Sequence, residues 1–195
     1  MEKLRIFFAG VGGQGTLTAT NLMALIALDK DIPVTAGEIH GMAQRGGIVE
    51  STLLLGGYFS PKIDVGEADI LLGFEPLETL RSLKYAKKGT TIIWNSDPIY
   101  PVGVSTGQEK YPDFDELDQK INNCAKKSIK LPCIELAKKA GTTKCANMVL
   151  LGAFCAANVS PFTIEDLHNG IKKYLPPKIH EINLKAVQLG KEAVT

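Results

Sequence analysis

The sequence predicts a single three-layer α/β domain: a mixed, mainly parallel sheet with helices on both faces and a helical C-terminal third. Three observations carry this expectation. Apolar strand-like runs alternate with helix-like runs over the first two thirds of the chain, which implies parallel strands joined by covering helices. A glycine cluster, "GVGGQG" from Gly10 to Gly15, joins the first strand to the first helix. From Asn147 onward the apolar spacing is helical throughout, with Pro161 and Pro176-Pro177 as separators. At 195 residues the chain is long enough for one proper core, and one domain is expected over 1–195.

The elements follow in order. "LRIFFAG" is an apolar strand ending in glycine, and Thr16 to Asp29 is a helix with Thr16 as its cap. "IPVTAGEIH" is a second strand. "GGIVESTLLLGG" alternates polar and apolar residues between glycine pairs, a pattern open to an antiparallel strand. "ADILLGF" is a buried strand, followed by a helix from about Glu75 to Ala86 and the strand "TTIIWN". "PIYPVGVSTG" is an edge strand or loop, since proline cannot donate to a ladder. A helix from Phe114 to Lys127, the strand "SIKLPC" and the helix "IELAKKAG", stopped by Gly141, complete the sheet region. Helices over Met148–Ala157, Ile164–Tyr174 and Ile179 to the C-terminus follow.

Composition excludes several classes. A net charge of +1 argues against a broad nucleic-acid surface. Lysine pairs at 87-88, 126-127, 138-139 and 172-173 are expected at helix ends, complementing the helix dipole. The N-terminus "MEKLRIFFAG" has no signal-peptide core, and no apolar run approaches the roughly 18 to 20 residues of a membrane span. A cytoplasmic protein is expected. Cys124, Cys133, Cys145 and Cys155 lie 9, 12 and 10 positions apart, too far for a zinc or iron–sulfur motif. The histidines have no ligand-like spacing, so no metal is expected; His168 and His180 are expected near the surface, and Trp94 in the core.

Gly10, Gly12 and Gly15 fit G-x-G-x-x-G after a strand and before a helix. A helix start offers unpaired N–H groups and partial positive charge, and glycine lets an anion approach them. Gly10, Gly12, Gly13, Gln14, Gly15 and Thr16 are therefore candidate binding residues, with tight strand–helix packing as the alternative. Glu38, 23 positions after Gly15, stands where a dinucleotide site holds its ribose. A second glycine-rich stretch, "EIHGMAQRGG", places His40, Gly41, Met42, Gln44, Arg45, Gly46 and Gly47 together. Arg45 offers a fork of donors to an anion, and His40 a group that titrates near neutrality. The same stretch equally suits a protein interface, where arginine is enriched and methionine is adaptable.

"GVGGQG" and "EIHGMAQRGG" together resemble the gamma subunit or domain of 2-oxoacid:ferredoxin oxidoreductases. "DILLGFEPLETLR", "NMVLLGAF" and the spacing of Asn183, Ala186 and Gly190 extend the resemblance over the whole chain. "HGMAQRGG" with "GFEPLE" is most similar to the small subunit of the indolepyruvate branch. The resemblance implies oxidative decarboxylation of a 2-oxoacid, coenzyme A as acyl acceptor and ferredoxin as electron acceptor. It also implies partner subunits bearing thiamine diphosphate and iron–sulfur clusters. This chain has an Asn122-Asn123 pair but no Gly-Asp-Gly before it, so thiamine diphosphate is expected on a partner. The implied role is an inert-alone subunit that closes the active site and helps bind coenzyme A through Gly12 to Thr16 and Arg45, with no catalytic residue of its own save a possible role for His40. A free-standing NAD- or FAD-dependent dehydrogenase using Glu38 is the alternative.

Overall fold

The structure, a computed structural model, describes residues 3–40 and 47–194. β1 (Leu4–Val11), α1 (Thr16–Asp29), β2 (Val34–His40), β3 (Ile48–Leu55), β4 (Ala68–Gly73), α2 (Pro76–Arg81) and β5 (Ala86–Asn95) come first. α3 (Val102–Ser105), α4 (Phe114–Cys124), β6 (Lys127–Leu131), α5 (Cys133–Ala140), α6 (Ala146–Ala156), α7 (Ile164–Tyr174) and α8 (His180–Glu192) follow. The sheet order is β2-β3-β1-β4-β5-β6, and β3 alone runs against its neighbours. The predicted mixed, mainly parallel sheet is what forms, with β3 as its reversed strand.

Strand alternation sorts the core into layers. Ile6, Phe8, Ile70, Leu72 and Ile93 face α1 and the helices α5 to α8. Leu71, Ile92 and Trp94 face Leu117 and Ile121 of α4 and Leu80 of α2. Phe7, Ala9 and Leu54 are covered by Tyr58 and Ile63 from a loop and by Tyr85 from a short 3₁₀ turn. Trp94 is fully buried as expected, its Nε1 donating to Ser128 Oγ at 3.2 Å.

Local chemistry sets the ends. Asp113 caps α4 by accepting from the amides of Asp115 and Glu116. Thr163 and Asp166 form a reciprocal capping box on α7. The predicted Glu75–Ala86 helix is shorter: it is α2 plus a 3₁₀ turn over Ser82–Tyr85, and β5 already begins at Ala86. The reason is a bulge. Ala68 pairs with Ala86 but Ile70 with Thr91, so Lys87 to Thr90 loop out while Thr90 Oγ1 donates to the Ala68 carbonyl and accepts from Lys87 N. Lys87-Lys88 therefore sit in a strand, and Lys127 opens β6 because α4 stops at Cys124. Only Lys138-Lys139 and Lys172-Lys173 occupy last turns of helices. The proline-rich stretch holds α3 and no strand. Neither histidine is exposed: His180 Nε2 bonds the Leu175 carbonyl at 2.8 Å, and His168 Nε2 is buried without a partner among the described residues. No helix among the described residues is long and apolar enough to cross a membrane.

α6 is apolar all round, with Asn147 to Cys155 continuously buried, and α8 crosses it at backbone contact. A Cβ on Gly152 would stand 2.2 Å from the Val187 carbonyl oxygen; one on Gly190 would stand 1.9 Å from that of Val149. Alanine at 190 would gain about 1 kcal/mol of helix propensity but force two backbones apart. Overpacking of this kind costs about 1–3 kcal/mol, so Gly190→Ala is expected to lower the melting temperature of the purified chain.

Candidate functional site

The strands β1, β4, β5 and β6 are parallel and end at one rim. The chain leaves β1 for α1 on one face and leaves β4 for α2 on the other, so the rim between β1 and β4 is a topological switch point, the usual ligand position in open α/β sheets. A cavity of about 200 Å³ lies there, lined by Gly13, Gln14, Phe74, Asn95, Lys144 and Asn147 among others. A more open cavity of about 440 Å³ adjoins it, sharing Gly13, Lys144 and Asn147 and walled by Met148, Ile179 and Ile182.

The glycines of the turn have different duties. A Cβ on Gly10 would meet Thr16 Oγ1 at 2.7 Å and Phe74 Cβ at 2.9 Å, so Gly10 is a packing position. Gly15 holds φ +74° as the N-cap of α1, with Asn147 Nδ2 2.7 Å from where its Cβ would be. Gly13 has φ +101°, and a Cβ there would meet nothing within 4 Å, so its backbone lies open towards the cavity. Two candidate donors are already engaged: Gly12 N donates to the Gly47 carbonyl at 2.8 Å, and Gln14 N to that of Val11 at 3.2 Å. The Thr16 hydroxyl is buried and without a partner among the described residues.

The rim is tied together by side-chain amides. Gln14 Oε1 accepts from Val11 N at 2.9 Å, and its Nε2 donates to the Phe74 carbonyl at 2.7 Å. Asn95 Nδ2 donates to the same carbonyl at 3.0 Å, while Asn95 Oδ1 accepts from Cys133 N at 2.9 Å. Asn147 Nδ2 donates to the Gly15 carbonyl at 3.3 Å. The buried carboxylate of Glu75 caps α2 through Glu78 N and accepts from Tyr111 Oη at 2.6 Å. Burial, then the bond to Glu75, pushes the Tyr111 phenol well above its ordinary range, so it acts there as a fixed donor.

The structure brings Gly12 and Gly47 together, so the two glycine-rich stretches meet at this rim. His40 contributes its backbone at the end of β2; Gly41, Met42, Gln44, Arg45 and Gly46 lie outside the described residues. Glu38 is not brought to the turn. β3 stands between β1 and β2, and Glu38 pairs with Ser51, itself opposite Phe8, below the level of Gly10. Lys144 and Asn147 join the site without any sequence motif to mark them as binding residues. Lys144 is exposed, and no ion pair holds it among the described residues.

Over residues 5–193 the chain matches the pyruvate ferredoxin/flavodoxin oxidoreductase family. It belongs to that family. The chain is 37% identical over 188 residues to an indolepyruvate oxidoreductase subunit, IorB, of Archaeoglobus fulgidus, covering 96% of this chain and 94% of that one. Its fold matches the gamma subunit of a keto/oxoacid ferredoxin oxidoreductase from Geobacter sulfurreducens, with a TM-score of 0.71, 23% identity and 98% of both chains covered. It also matches 31% of the chain of a 2-oxoglutarate:ferredoxin oxidoreductase from Magnetococcus marinus, bound to 2-oxoglutarate, coenzyme A and succinyl-CoA, covering 100% of this chain with a TM-score of 0.75 and 18% identity. This is a small subunit of the 2-oxoacid:ferredoxin oxidoreductase type, and the dinucleotide-dehydrogenase alternative finds no support.

The thiols do not suit a cluster. Cys133, Cys145 and Cys155 are buried and Cys124 is exposed, and no group of three His, Cys, Asp or Glu side chains among the described residues could hold a metal. Burial, followed by the charge of Asp166, pushes the Cys155 thiol up to about 12, and burial also raises Cys133 and Cys145. In the native chain a thiol reagent should label Cys124 quickly and the other three only on unfolding, as mass spectrometry of labelled peptides would show. Asn95→Ala removes the acceptor of the Cys133 amide; an unmet buried group costs about 1–3 kcal/mol, and that loss should appear in denaturant unfolding.

Proposed function

We propose that this chain is the cluster-free small subunit of a cytoplasmic complex that oxidatively decarboxylates 2-oxoacids, aryl pyruvates such as indolepyruvate first, with transfer to coenzyme A and reduction of ferredoxin. Thiamine diphosphate and iron–sulfur clusters belong to its partner subunits, and the chain is inert alone. The Archaeoglobus relative, an indolepyruvate oxidoreductase subunit, favours indolepyruvate, and the coenzyme A bound to the Magnetococcus enzyme favours that acceptor.

The observation that carries the role is the convergence of the open Gly13 backbone, the start of α1 and the Lys144 side chain on one pair of adjoining cavities. Coenzyme A, when bound, supplies the thiol that accepts the acyl group. Its diphosphate suits this donor set: a helix start favours an anion, a residue at φ +101° permits close approach, and an ammonium adds countercharge. Asn147 spans both cavities and fixes the turn through the Gly15 carbonyl, while Met148, Ile179 and Ile182 offer an apolar wall to the rest of the carrier. The chain thus binds, orients and excludes water; it moves no proton. Of the amides in the turn, Gly13, Gly15 and Thr16 take the binding role, because Gly12 and Gln14 are spent internally. The stretch His40 to Gly47, with Arg45, takes the second countercharge or the seam with a partner, supported by the bond that ties Gly47 to Gly12.

Loss of one charge-assisted contact costs about 1.5–3 kcal/mol. In the assembled complex Lys144→Ala is expected to raise KM for coenzyme A about ten- to hundredfold while leaving KM for the 2-oxoacid unchanged. Equal effects on both substrates, or none on coenzyme A, would remove Lys144 from the site.

A further inference from the structure

Among the described residues, the helices on the face carrying Phe7, Ala9 and Leu54 are α2 and α4, packed on its β4–β5 side. Over β1, β2 and β3 its cover among the described residues is the loop that supplies Tyr58 and Ile63 together with Tyr85, stacked on Phe7 from the 3₁₀ turn, and it leaves apolar side chains bare. Ile39 is 70% exposed, Val65 71% and Ile48 44%. Ile39 lies directly opposite Glu50, so Ile48 sits diagonally from Ile39 on the same face. Ile39 and Val65 line one groove of about 340 Å³, floored by Phe7 and Tyr85.

The charge on this groove is one-sided. On this face Glu50 and Asp64 line it with Lys62, and Lys62 Nζ is already held by Asp64 at 2.6 Å; the Glu38 side chain, opposite Ser51, belongs to the other face. Glu50 has no cationic partner among the described residues; it receives only the Tyr85 hydroxyl, at 3.4 Å. A second copy docked with this patch on a two-fold axis would set Glu50, between Ile39 and Ile48, against its own copy. An apolar surface with unmet negative charge suits a different chain, one presenting apolar side chains interspersed with arginine or lysine.

We propose that this uncovered half-face, with Ile39, Ile48 and Val65 as its apolar centre and Glu50 as its unmet charge, seats the large subunit of the complex through an apolar segment bearing arginine or lysine. The inference rests on the reading that the chain works in such a complex, and it deepens that reading by assigning the surface. It is separate from the rim cavities, which share no lining residue with this groove.

The test uses the full chain with the co-purified large subunit. Affinity is measured for the wild type, Ile39→Asp, Glu50→Lys and the control Lys178→Glu, and hydrogen exchange is followed in the complex. Because Ile39 is largely exposed, aspartate there buries no charge, and circular dichroism with thermal melting verifies each fold. Ile39→Asp and Glu50→Lys are each expected to weaken binding about tenfold or more, with Lys178→Glu unchanged and amides near 37–39 and 50–52 protected on assembly. Wild-type affinity in both variants, or no protection there, overturns the docking surface and leaves the complex standing. A wild-type chain that binds no large subunit overturns both. A homodimer of the isolated chain, protected on this face, overturns the choice of partner.

Discussion

One carbonyl organises the functional end of the molecule. Phe74 O, at the end of β4, accepts from Gln14 behind β1 and from Asn95 at the end of β5. Asn95 passes the connection to the first residue of α5, and Phe74 N donates to the Ala9 carbonyl at 2.7 Å. The ends of β1, β4 and β5 and the start of α5 are thereby held in fixed relation where the strands stop and the regular ladder no longer constrains them. In a buried setting each of these amides must find a partner, and here each partner lies on a different element. The cavity between them is therefore a product of backbone satisfaction, formed before any ligand is considered.

Around that junction the fold divides its labour by face. One face is closed by helices drawn largely from the C-terminal third; the other is closed by α2 and α4 on one side and a loop on the other. The reversed strand β3 makes this possible. It fills the gap that a β1–α1–β2 crossover would leave between two parallel strands, and it carries the chain back beside the β1 turn at Gly47. It also moves β2 one strand too far for the acidic residue of a dinucleotide site. The glycine spacing of a ribose-and-pyrophosphate site is present here without the acidic residue beside it.

Much of the fold is legible in local sequence. α1 over Thr16–Asp29 and α7 over Ile164–Tyr174 have the predicted bounds, and α7 has its Thr163 cap; α1 is capped instead by Gly15, not by Thr16, because only the glycine takes the left-handed turn that starts the helix. Where tertiary pairing overrides local pattern, the sequence misleads. Lys87-Lys88 look like a helix terminus, yet they lie in a bulge whose register is set by β4. The two glycine-rich stretches stand out in the sequence, and Gly12 and Gly47 meet. The jobs of individual residues are not legible: Gln14 finds its carbonyl partner 60 positions away, Asn147 finds its own 132 positions away, and Lys144 has no motif around it. Such residues gain meaning only from chain segments that fold beside them.

The crossing of α6 and α8 has a mechanical consequence for the rim. Because Gly152 and Gly190 let the two backbones touch, neither helix can slide past the other without collision. Asn147, Met148, Ile182 and Asn183, all on these two helices, therefore behave as one fixed jaw of the adjoining cavity. Room for a bulky guest falls to the cavity's other walls, Thr142, Lys144 and Leu175 among them, and to the glycine turn behind β1, which Gln14 and Asn147 pin.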